Sequence, residues 1–334
     1  QFKSVLMLPN VPDINKLPFY IGNKSANISI LSLAPNASMW GVRDMTGGSN
    51  PLVMDVERVP EPSGQATTRS FYANEVENGT LLSWVTESSP TANGLVTRLY
   101  DQNSTRDFDY YKEPNLAAPK IVVNGALSTD TEGKVAINGN GALLRLGPTS
   151  STNNANFFSS DGTWSLFLVT DFPDYSGATN NNVQIIHYET PDNGGANGPR
   201  KPVIACNKNF NQLAVGQPTQ TVGSGSVGNI FLPTYPGEQL FSNFGNPALA
   251  TNNNEAFLDA AGRGDVGYGT TNLSTSVNTN TTASSSLNRI FMSSETGVTS
   301  YISALVYAPS YLYPIKTDIE NELVRLYNIT FVDE

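Results

Sequence analysis

The sequence YISALVY, residues 301–307, and the pattern that follows it decide the fold class. This run has the length of one strand and contains the β-branched and aromatic residues that favour strands. Beyond it, Thr317 and Glu320 match a capping box, which marks a helix start. Apolar residues then recur at near-helical spacing: Ile315, Ile319, Leu323 and Leu326. We predict a buried strand and then a short helix over residues 318–327, laid on a sheet by its apolar side.

Similar strand-length runs occupy most of the preceding sequence, and polar stretches of Asn, Gly, Ser and Thr separate them. The predicted strands are residues 52–58, 95–100, 120–123, 134–137, 142–146, 164–172, 183–188, 202–206, 212–215, 229–232, 289–293 and 301–307. One or two further strands are expected between residues 241 and 288, because so long a structureless stretch is unusual in a compact domain. Many short strands with one terminal helix predict an all-β sandwich.

Residues 1–35 are predicted to form an extended N-terminal arm ahead of one domain over residues 36–334. Short strands at residues 4–8 and 27–33 flank a stretch that contains three prolines. The arm either packs along its own domain or reaches a neighbouring subunit, and the sequence leaves both open. Because the chain begins with Gln1 and not Met, we expect that a segment precedes it.

Composition excludes several classes of function. The net charge of −10 and the pI near 4.6 argue against binding to a nucleic-acid backbone, which needs clustered Lys and Arg. One His and one Cys exclude an internal disulfide and a Cys/His zinc cage. Since no apolar run approaches ~18 residues, no membrane insertion is expected.

Six short motifs follow one another in the first half of the domain. They are ASMWGVR (37–43), VER (56–58), SFYA (70–73), LSWV (82–85), VTRLYDQ (96–102) and APKIV (118–122) followed by Gly125. In this order they resemble a module of virion and tail proteins of phages and large algal DNA viruses, which carries a Tyr-Asp-Gln triplet. The catalytic domain of fungal family-B arabinofuranosidases looks similar over the same region. The glycine-containing Ser-Gly-Asn-Gly that normally follows the triplet is replaced here by NSTRD, residues 103–107.

A second resemblance covers the end of the chain. Residues 301–307, IENEL (319–323) and YNI (327–329) resemble the ending of concanavalin A-like, laminin-G-type sandwiches. Together the two resemblances imply an all-β, concanavalin A-like antiparallel β-sandwich of jelly-roll type with a short C-terminal helix. They also imply a non-enzymatic virion protein, such as a minor capsid, spike, tail or fibre component. Its expected partners are other virion subunits, including copies of itself, and its expected location is the virion surface, with an extracellular adhesin as the alternative.

Host glycans are the expected ligands of the loops between Asp171 and Gly198. An exposed aromatic ring can stack on a sugar, while amides and carboxylates bind its hydroxyl groups. The candidate glycan-binding residues are Tyr175, Tyr188, Glu189, Asp192 and Asn193, and two further tyrosines, Tyr235 and Tyr268, also lie near polar loops.

The enzymatic alternative is a glycoside hydrolase on the same fold, which needs two carboxylates around the scissile bond. The candidate carboxylates are Glu189 with Asp192, and Asp171 with Asp174. The alternative interpretation is that all four are solvated loop charges. The cysteine-rich segment of the arabinofuranosidases has no counterpart, because Cys206 stands alone and is expected to be a small buried apolar residue. His187 would be the base of a Ser-His-Asp arrangement, but no Gly-x-Ser-x-Gly turn is present. We predict no catalytic residue.

No metal or other cofactor is expected, with calcium as the one exception that the resemblance leaves open. Calcium often accompanies laminin-G-like sandwiches through loop carboxylates and carbonyls. The sequence-based candidates for such a site are Asp107 with Asp109, or Asp192 with Asn193.

Overall fold

A computed structural model of the chain describes residues 28–60, 67–87, 89–103, 107–110, 118–139, 142–146, 163–171, 182–189, 201–207, 212–215, 228–231, 238–245, 254–258, 287–292 and 300–329. The strands are β1 (Ser38–Gly41), β2 (Leu52–Val59), β3 (Thr68–Tyr72), β4 (Asn93–Leu99), β5 (Phe108–Tyr110), β6 (Lys120–Val123), β7 (Ala126–Leu127), β8 (Ile137–Asn138), β9 (Ala142–Leu146), β10 (Trp164–Asp171), β11 (Asn182–Glu189), β12 (Lys201–Asn207), β13 (Gln212–Val215), β14 (Gly228–Phe231), β15 (Glu238–Gly245), β16 (Asn254–Leu258), β17 (Leu287–Met292) and β18 (Tyr301–Ala308). The helices are α1 (Ile30–Leu33), α2 (Ala73–Glu77), α3 (Thr80–Thr86) and α4 (Lys316–Tyr327), with a 3-10 turn, Tyr313–Ile315, leading into α4.

Layer one is the antiparallel sheet β1-β18-β10-β15-β16. A row of paired residues crosses it, in which Leu305 of β18 lies between Trp40 and Leu168, and Leu168 lies next to Phe241. These four side chains are at most 2% exposed. Strand β10 lies between β15 and β18 and is covered on both faces of the sheet. This explains why its middle residues, 166–169, are all apolar and do not alternate with polar ones.

Layer two begins with β3-β2-β4 and continues through β5, β9, β17, β11, β12 and β13 to β14. β6 pairs with the same edge of β4 near Gly94, and β5 pairs with it near Leu99. All ladders between the described strands are antiparallel. The two sheets make the protein an all-β sandwich, as predicted.

The two-residue strand β8 joins the layers along one edge. Asn138 is the partner of Tyr301 in β18 and of Lys120 in β6. β1 pairs with the same edge of β18 further along, from Ala304 to Tyr307. The sandwich is therefore hydrogen-bonded across this edge as well as packed between its faces.

One apolar core connects the layers and the C-terminal helix. It includes Val56 and Val96 of layer two together with Leu166 and Val306 of layer one, all at most 2% exposed. The central strands β10 and β15 contact α4, which buries Ile319, Leu323 and Tyr327. Each such side chain stabilises the fold by about 1.5–3 kcal/mol when fully buried. None of the described helices is long and apolar enough to cross a membrane.

Helix α4 begins differently from the prediction. It starts at Lys316, and neither Thr317 nor any other side chain caps it. Glu320 does not turn back to the helix start, because its carboxylate lies under the helix, 3.0 Å from Lys316 Nζ and in contact with the Ser242 hydroxyl. The predicted capping box is wrong, although the predicted helix is confirmed.

The sequence predicts one helix, but the described residues contain three more. Residues 27–33 are predicted as a strand, yet from residue 28 onward the structure has α1, where Ser29 and Ser32 form a reciprocal capping box and Ile30 enters the core against α4. α2 and α3 occupy the SFYA–LSWV region and bury Val76, Leu81 and Val85. These helices are too short for a repeating helical pattern to show in the sequence.

Most predicted strands are confirmed with shifts of one or two residues at their ends. Those at residues 120–123, 142–146 and 212–215 have the predicted bounds, and β15 and β16 are the further strands expected after residue 241. The predicted strand 134–137 is wrong in its first half, where Val135 forms only an isolated bridge with Thr129. The strand predicted at residues 4–8 lies outside the described residues. The boundary of the N-terminal arm stays a prediction, although the described residues 30–33 belong to the core.

Candidate functional site

The end of β11 places two of the candidate glycan-binding residues at one end of layer two. Tyr188 is the Cα partner of Lys201 in β12 and of Asn288 in β17, and Glu189 is the partner of Leu287. Residues 190–200, with the sequence TPDNGGANGPR, connect β11 to β12 at this end, and residues 259–286 lead into β17 at Leu287. Polar chain segments therefore enter and leave the sheet beside Tyr188 and Glu189.

A third polar segment belongs to the same end of the sheet. Val215, the last residue of β13, pairs with Ile204 of β12 and with Gly228, the first residue of β14. The connection 216–227, with the sequence GQPTQTVGSGSV, thus leaves the sheet on the side of Lys201. Loop residues of this composition are typical of binding surfaces on a rigid scaffold.

The remaining candidate glycan-binding residues lie in parts of the chain that the structure does not describe. Tyr175, Asp192 and Asn193 lie outside the described residues, as do Asp174, Tyr235 and Tyr268. The roles of Tyr188 and Glu189 stay predictions, because the strand register gives their position along the sheet only. The same holds for His187, the partner of Pro202 and Arg289, and for Cys206, the partner of Val183 and Leu213.

The Tyr-Asp-Gln triplet ties strands together. Asp101 accepts hydrogen bonds from the Met39 and Asn103 N–H groups at 2.9 and 3.1 Å. Gln102 accepts one from the Met45 N–H at 2.9 Å and donates one to the Arg43 carbonyl at 2.8 Å. These bonds fix the end of β4 to β1 and to the loop that follows it. The triplet therefore has a structural role here.

Other residues of the resembling motifs also hold the fold. The Arg58 guanidinium, 2% exposed, lies 4.4 Å from the centre of the Trp84 ring and donates to the Trp84 carbonyl at 2.9 Å. Phe71 meets the same ring edge-on at 5.4 Å. Gly125 has φ +82°, and a Cβ there would lie 1.8 Å from the Pro90 carbonyl oxygen, so only glycine fits. Because these residues hold the fold together, a resemblance that rests on them indicates a similar fold and does not indicate an activity.

A pair of buried carboxylates lies at the other candidate site, where β10 ends. Asp171 is 0% exposed, and its Oδ2 accepts hydrogen bonds from the Thr131 N–H at 2.8 Å and the Thr131 hydroxyl at 2.7 Å. Asp130, 5% exposed, accepts at Oδ1 from the N–H groups of Glu132 and Lys134 at 2.9 and 2.8 Å. Thr131 belongs to the hairpin 128–136, so this hairpin supplies Asp130 and binds Asp171.

Thr131 brings the two carboxylates close to each other, because it follows Asp130 in the chain and donates two hydrogen bonds to Asp171. Burial raises the pKa of Asp130, and the charge of Asp171 raises it further, while the N–H donors and Lys134 oppose the rise. Burial also raises the pKa of Tyr301, with added contributions from Asp171 and Asp130. Two like charges in a buried setting repel each other strongly, because water does not screen them.

The position of Asp171 corrects its interpretation as a solvated loop charge. Its burial beneath the hairpin also separates it from solvent, where a glycosidase carboxylate must meet its substrate. Asp130 is not among the sequence-based candidates. The signal that points to it is Asp171, an acidic residue at the end of a largely apolar strand, because a buried carboxylate there needs polar partners.

Comparisons with known proteins identify no family for the chain. No family model matches it, and no curated protein does. Solved structures with a similar arrangement include a GH54 α-l-arabinofuranosidase soaked with a cyclic sulfate inhibitor, with a TM-score of 0.47 and 11% identity over 87% of this chain and 62% of that one. An arabinofuranosidase complexed with arabinofuranosyl-α-1,2-xylobiose gives a TM-score of 0.48, also at 11% identity and the same coverage. A Trypanosoma rangeli sialidase in complex with 2,3-difluorosialic acid gives 0.38 at 10% identity, over 70% of this chain and 31% of that one.

The matched part is smaller than the neighbouring proteins themselves. The chain spans 62% of the arabinofuranosidase chains and 31% of the sialidase chain. With TM-scores below 0.5 and identities of 10–11%, these likenesses assign neither an activity nor a residue's role to this chain.

Proposed function

We propose that the protein is a non-enzymatic surface protein of a virus particle whose sandwich presents polar loops to glycans. The observation that carries the proposal is the strand register at the ends of β11, β12 and β17. It brings Tyr188, Glu189, Lys201 and Asn288 to the end of layer two where three polar segments meet the sheet.

The chemistry of this end suits sugars. A tyrosine ring offers an apolar face to the C–H groups of a sugar, while its hydroxyl stays wet. The neighbouring segment 190–200 supplies Asp192 and Asn193, whose side chains can bind hydroxyl groups. Only 14% of the residues are charged, so hydroxyl and amide groups provide most of the polarity. Hydroxyl and amide groups can bind neutral sugars at a lower desolvation cost than charged groups.

The virion setting is supported by the sequence resemblance over residues 37–329. In this proposal the N-terminal arm docks the protein onto other virion subunits or onto copies of itself. Deleting residues 1–27, which keeps the core helix α1, should then abolish incorporation into particles while leaving the thermal unfolding midpoint unchanged. Fractionation of purified particles tests this setting, and recovery of the protein only in the extracellular fraction would favour an adhesin.

Glycan-array screening followed by titration of the best glycan tests the binding site. Tyr188→Ala should weaken binding at least tenfold, which corresponds to about 1.4 kcal/mol, and Glu189→Gln should weaken it less. Tyr72→Ala is the matched control, since Tyr72 is 45% exposed and lies on β3, at the opposite edge of layer two. Equal binding by all variants, or no binding by the wild type to any glycan, would refute the proposal.

An activity assay separates this proposal from the glycosidase. The proposal predicts no release of 4-nitrophenol from arabinofuranoside or glucoside substrates. Turnover by the wild type that Glu189→Gln abolishes would replace glycan binding with glycoside hydrolysis at the same end of the sheet.

A further inference from the structure

Buried oxygen atoms without a hydrogen-bond partner gather around the Asp130–Asp171 pair. Each carboxylate uses one oxygen, as described above, and leaves the other without a partner: Oδ2 of Asp130 and Oδ1 of Asp171. Three neutral oxygens are in the same condition, namely Ser128 Oγ on the hairpin 128–136, Asn138 Oδ1 on β8 and Ser300 Oγ just before β18. Buried polar groups are nearly always paired in native proteins, so each of these atoms needs an explanation.

The strand register brings these groups together. Asp171 is the Cα partner of Tyr301, and Tyr301 is the partner of Asn138. The Ser300 carbonyl accepts from the Gly139 N–H at 2.9 Å. Paired residues on neighbouring antiparallel strands project to the same face of the sheet, which places Asp171 and Asn138 on one face.

The hairpin 128–136 completes the arrangement. Ser128 and Asp130 are alternate residues on its first arm, and Thr131 connects it to Asp171. Glu238, the Cα partner of Asp171 in β15, adds a third acidic residue at this end of layer one.

Charge is out of balance at this place. Among the side chains that the structure describes here, Lys134 forms an ion pair with Glu132, and its charge also opposes the rise in the pKa of Asp130. When ionised, the carboxylates of Glu132, Asp130 and Asp171 together with the Lys134 ammonium carry a net charge of −2, and Asp130 and Asp171 are at most 5% exposed. Isolated buried charges are costly, and the usual solutions are a counter-ion or a metal.

We infer that the Asp130–Asp171 pair and its neutral oxygen neighbours bind a divalent cation, with Ca²⁺ as the best match. The carboxylate, amide and hydroxyl atoms named above are oxygens, which hard cations prefer, and Ca²⁺ accepts six to eight oxygen ligands in irregular geometry. Among the described residues, no group of three or more His, Cys, Asp or Glu forms a conventional metal cluster. The ligand set therefore combines two carboxylates with amide and hydroxyl oxygens and water.

The hairpin covers the proposed cation site. Its tip, residues 131–133, is exposed, whereas Asp130 and Asp171 lie beneath it. The bound cation would fix the hairpin to the end of β10. This inference does not depend on glycan binding, because the cation would stabilise the fold whatever the loops recognise.

Terbium luminescence gives a direct test on the full chain after treatment with a chelator. Tb³⁺ replaces Ca²⁺ at oxygen sites, and the neighbouring Tyr301 serves as the energy donor. The wild type should show tyrosine-sensitised emission that Ca²⁺ competes away. Absence of emission together with an unfolding midpoint that does not respond to Ca²⁺ would overturn the inference and assign the free oxygens to ordered water.

Thermal unfolding of variants gives the second test. At about 100 times the dissociation constant, Ca²⁺ should raise the midpoint of the wild type by roughly 5 °C. Asp171→Asn and Asp130→Asn should lose this rise, and in chelator each should unfold at a higher temperature than the wild type, because the repulsion is gone.

Asp44→Asn is the matched control for these variants. Asp44 is also a loop carboxylate, but both its oxygens accept hydrogen bonds, from Thr46, Gly48 and Asn50. Ca²⁺ should raise the unfolding midpoint of Asp44→Asn by as much as it raises that of the wild type. Equal rises in Asp171→Asn and the wild type would overturn the inference.

Discussion

Glu320 of α4 and Asp171 of β10 are both buried carboxylates, but among the described residues only Glu320 has a cationic partner. Glu320, 2% exposed, lies 3.0 Å from Lys316 Nζ on its own helix. Asp171, 0% exposed, has two hydrogen bonds from Thr131 and no cationic partner among the described residues. Hydrogen bonds stabilise a charge without cancelling it. The helix therefore supplies a counter-ion for its own buried carboxylate, whereas the hairpin supplies Asp171 with hydrogen-bond donors only.

The largest loss of stability is expected from breaking the buried ion pair between Lys316 and Glu320. Lys316→Met leaves Glu320 as an uncompensated buried charge, which should cost about 3–5 kcal/mol of the free energy of unfolding. Urea unfolding at neutral pH measures this loss. The double variant Lys316→Met/Glu320→Leu should recover most of it, since well-packed apolar residues can replace a buried ion pair. A loss below about 1 kcal/mol in the single variant would show that Glu320 is not isolated from water.

The second effect comes from weakening the hydrogen bonds of Asp171. Thr131→Val keeps the shape and the N–H donor but removes the hydroxyl donor, which should cost about 1.5–3 kcal/mol for a bond to a charged group. The same substitution at Thr86, whose hydroxyl donates to the Leu82 carbonyl at 2.9 Å, is the control. It should cost less than about 1 kcal/mol because the acceptor is neutral. Similar losses of unfolding free energy in Thr131→Val and Thr86→Val would contradict the conclusion that the Thr131 hydroxyl stabilises a buried charge.

The third prediction concerns pH. The pKa of Asp130 is raised above its ordinary value of 3.8 by burial and then by Asp171. Between the unfolded and folded pKa values, the folded state binds more protons than the unfolded state, so stability falls as pH rises through this window. In chelator, the stability gain of Asp130→Asn over the wild type should therefore grow through the acidic range and then level off. Urea unfolding from pH 3 to pH 6 measures it, and saturating Ca²⁺ should reverse the sign, because a bound cation favours the ionised carboxylate. A gain independent of pH would contradict the raised pKa.

The smallest effect is expected at an ion pair with one exposed partner, on the helix that carries Glu320. Arg325, whose side chain is 63% exposed, donates through Nε at 2.7 Å to Glu322, whose side chain is 10% exposed. Arg325→Ala should cost less than about 1 kcal/mol, because solvent and salt screen such pairs. Thermal unfolding at low and high salt checks this, and the small loss should vanish at high salt. A loss as large as that of Lys316→Met would mean that exposure does not separate the two pairs.

The sandwich could be predicted from the sequence because many of its strands are short, largely apolar runs between polar turns. Residues 120–123 and 301–307 are two examples. The short helices could not, since α1 depends on a capping box between Ser29 and Ser32 and on packing against α4, almost 300 residues away in the chain.

The buried carboxylate pair is equally hidden in the sequence. Thr131 and Asp171 are 40 residues apart, and nothing local marks them as partners. Only the antiparallel pairing of β10, β18 and β8 reveals that the hairpin lies over the end of β10. A sequence pattern indicates which residues of one strand or helix are buried. This site, in contrast, forms where β10, β18, β8 and the hairpin come together in space.

The pairing of β1 with β18 has a mechanical consequence. Ser38, where the chain enters β1, is the partner of Tyr307, where the chain is about to leave β18. Tension between the two ends of the chain would therefore open this ladder one rung at a time, as in a zipper, and not shear all its bonds together. After α1 lifts from α4, a weak pull should be enough to peel β1 away. Under tension between its two ends, the protein would then extend by steps, which single-molecule force spectroscopy would record as a low first plateau before the sandwich ruptures.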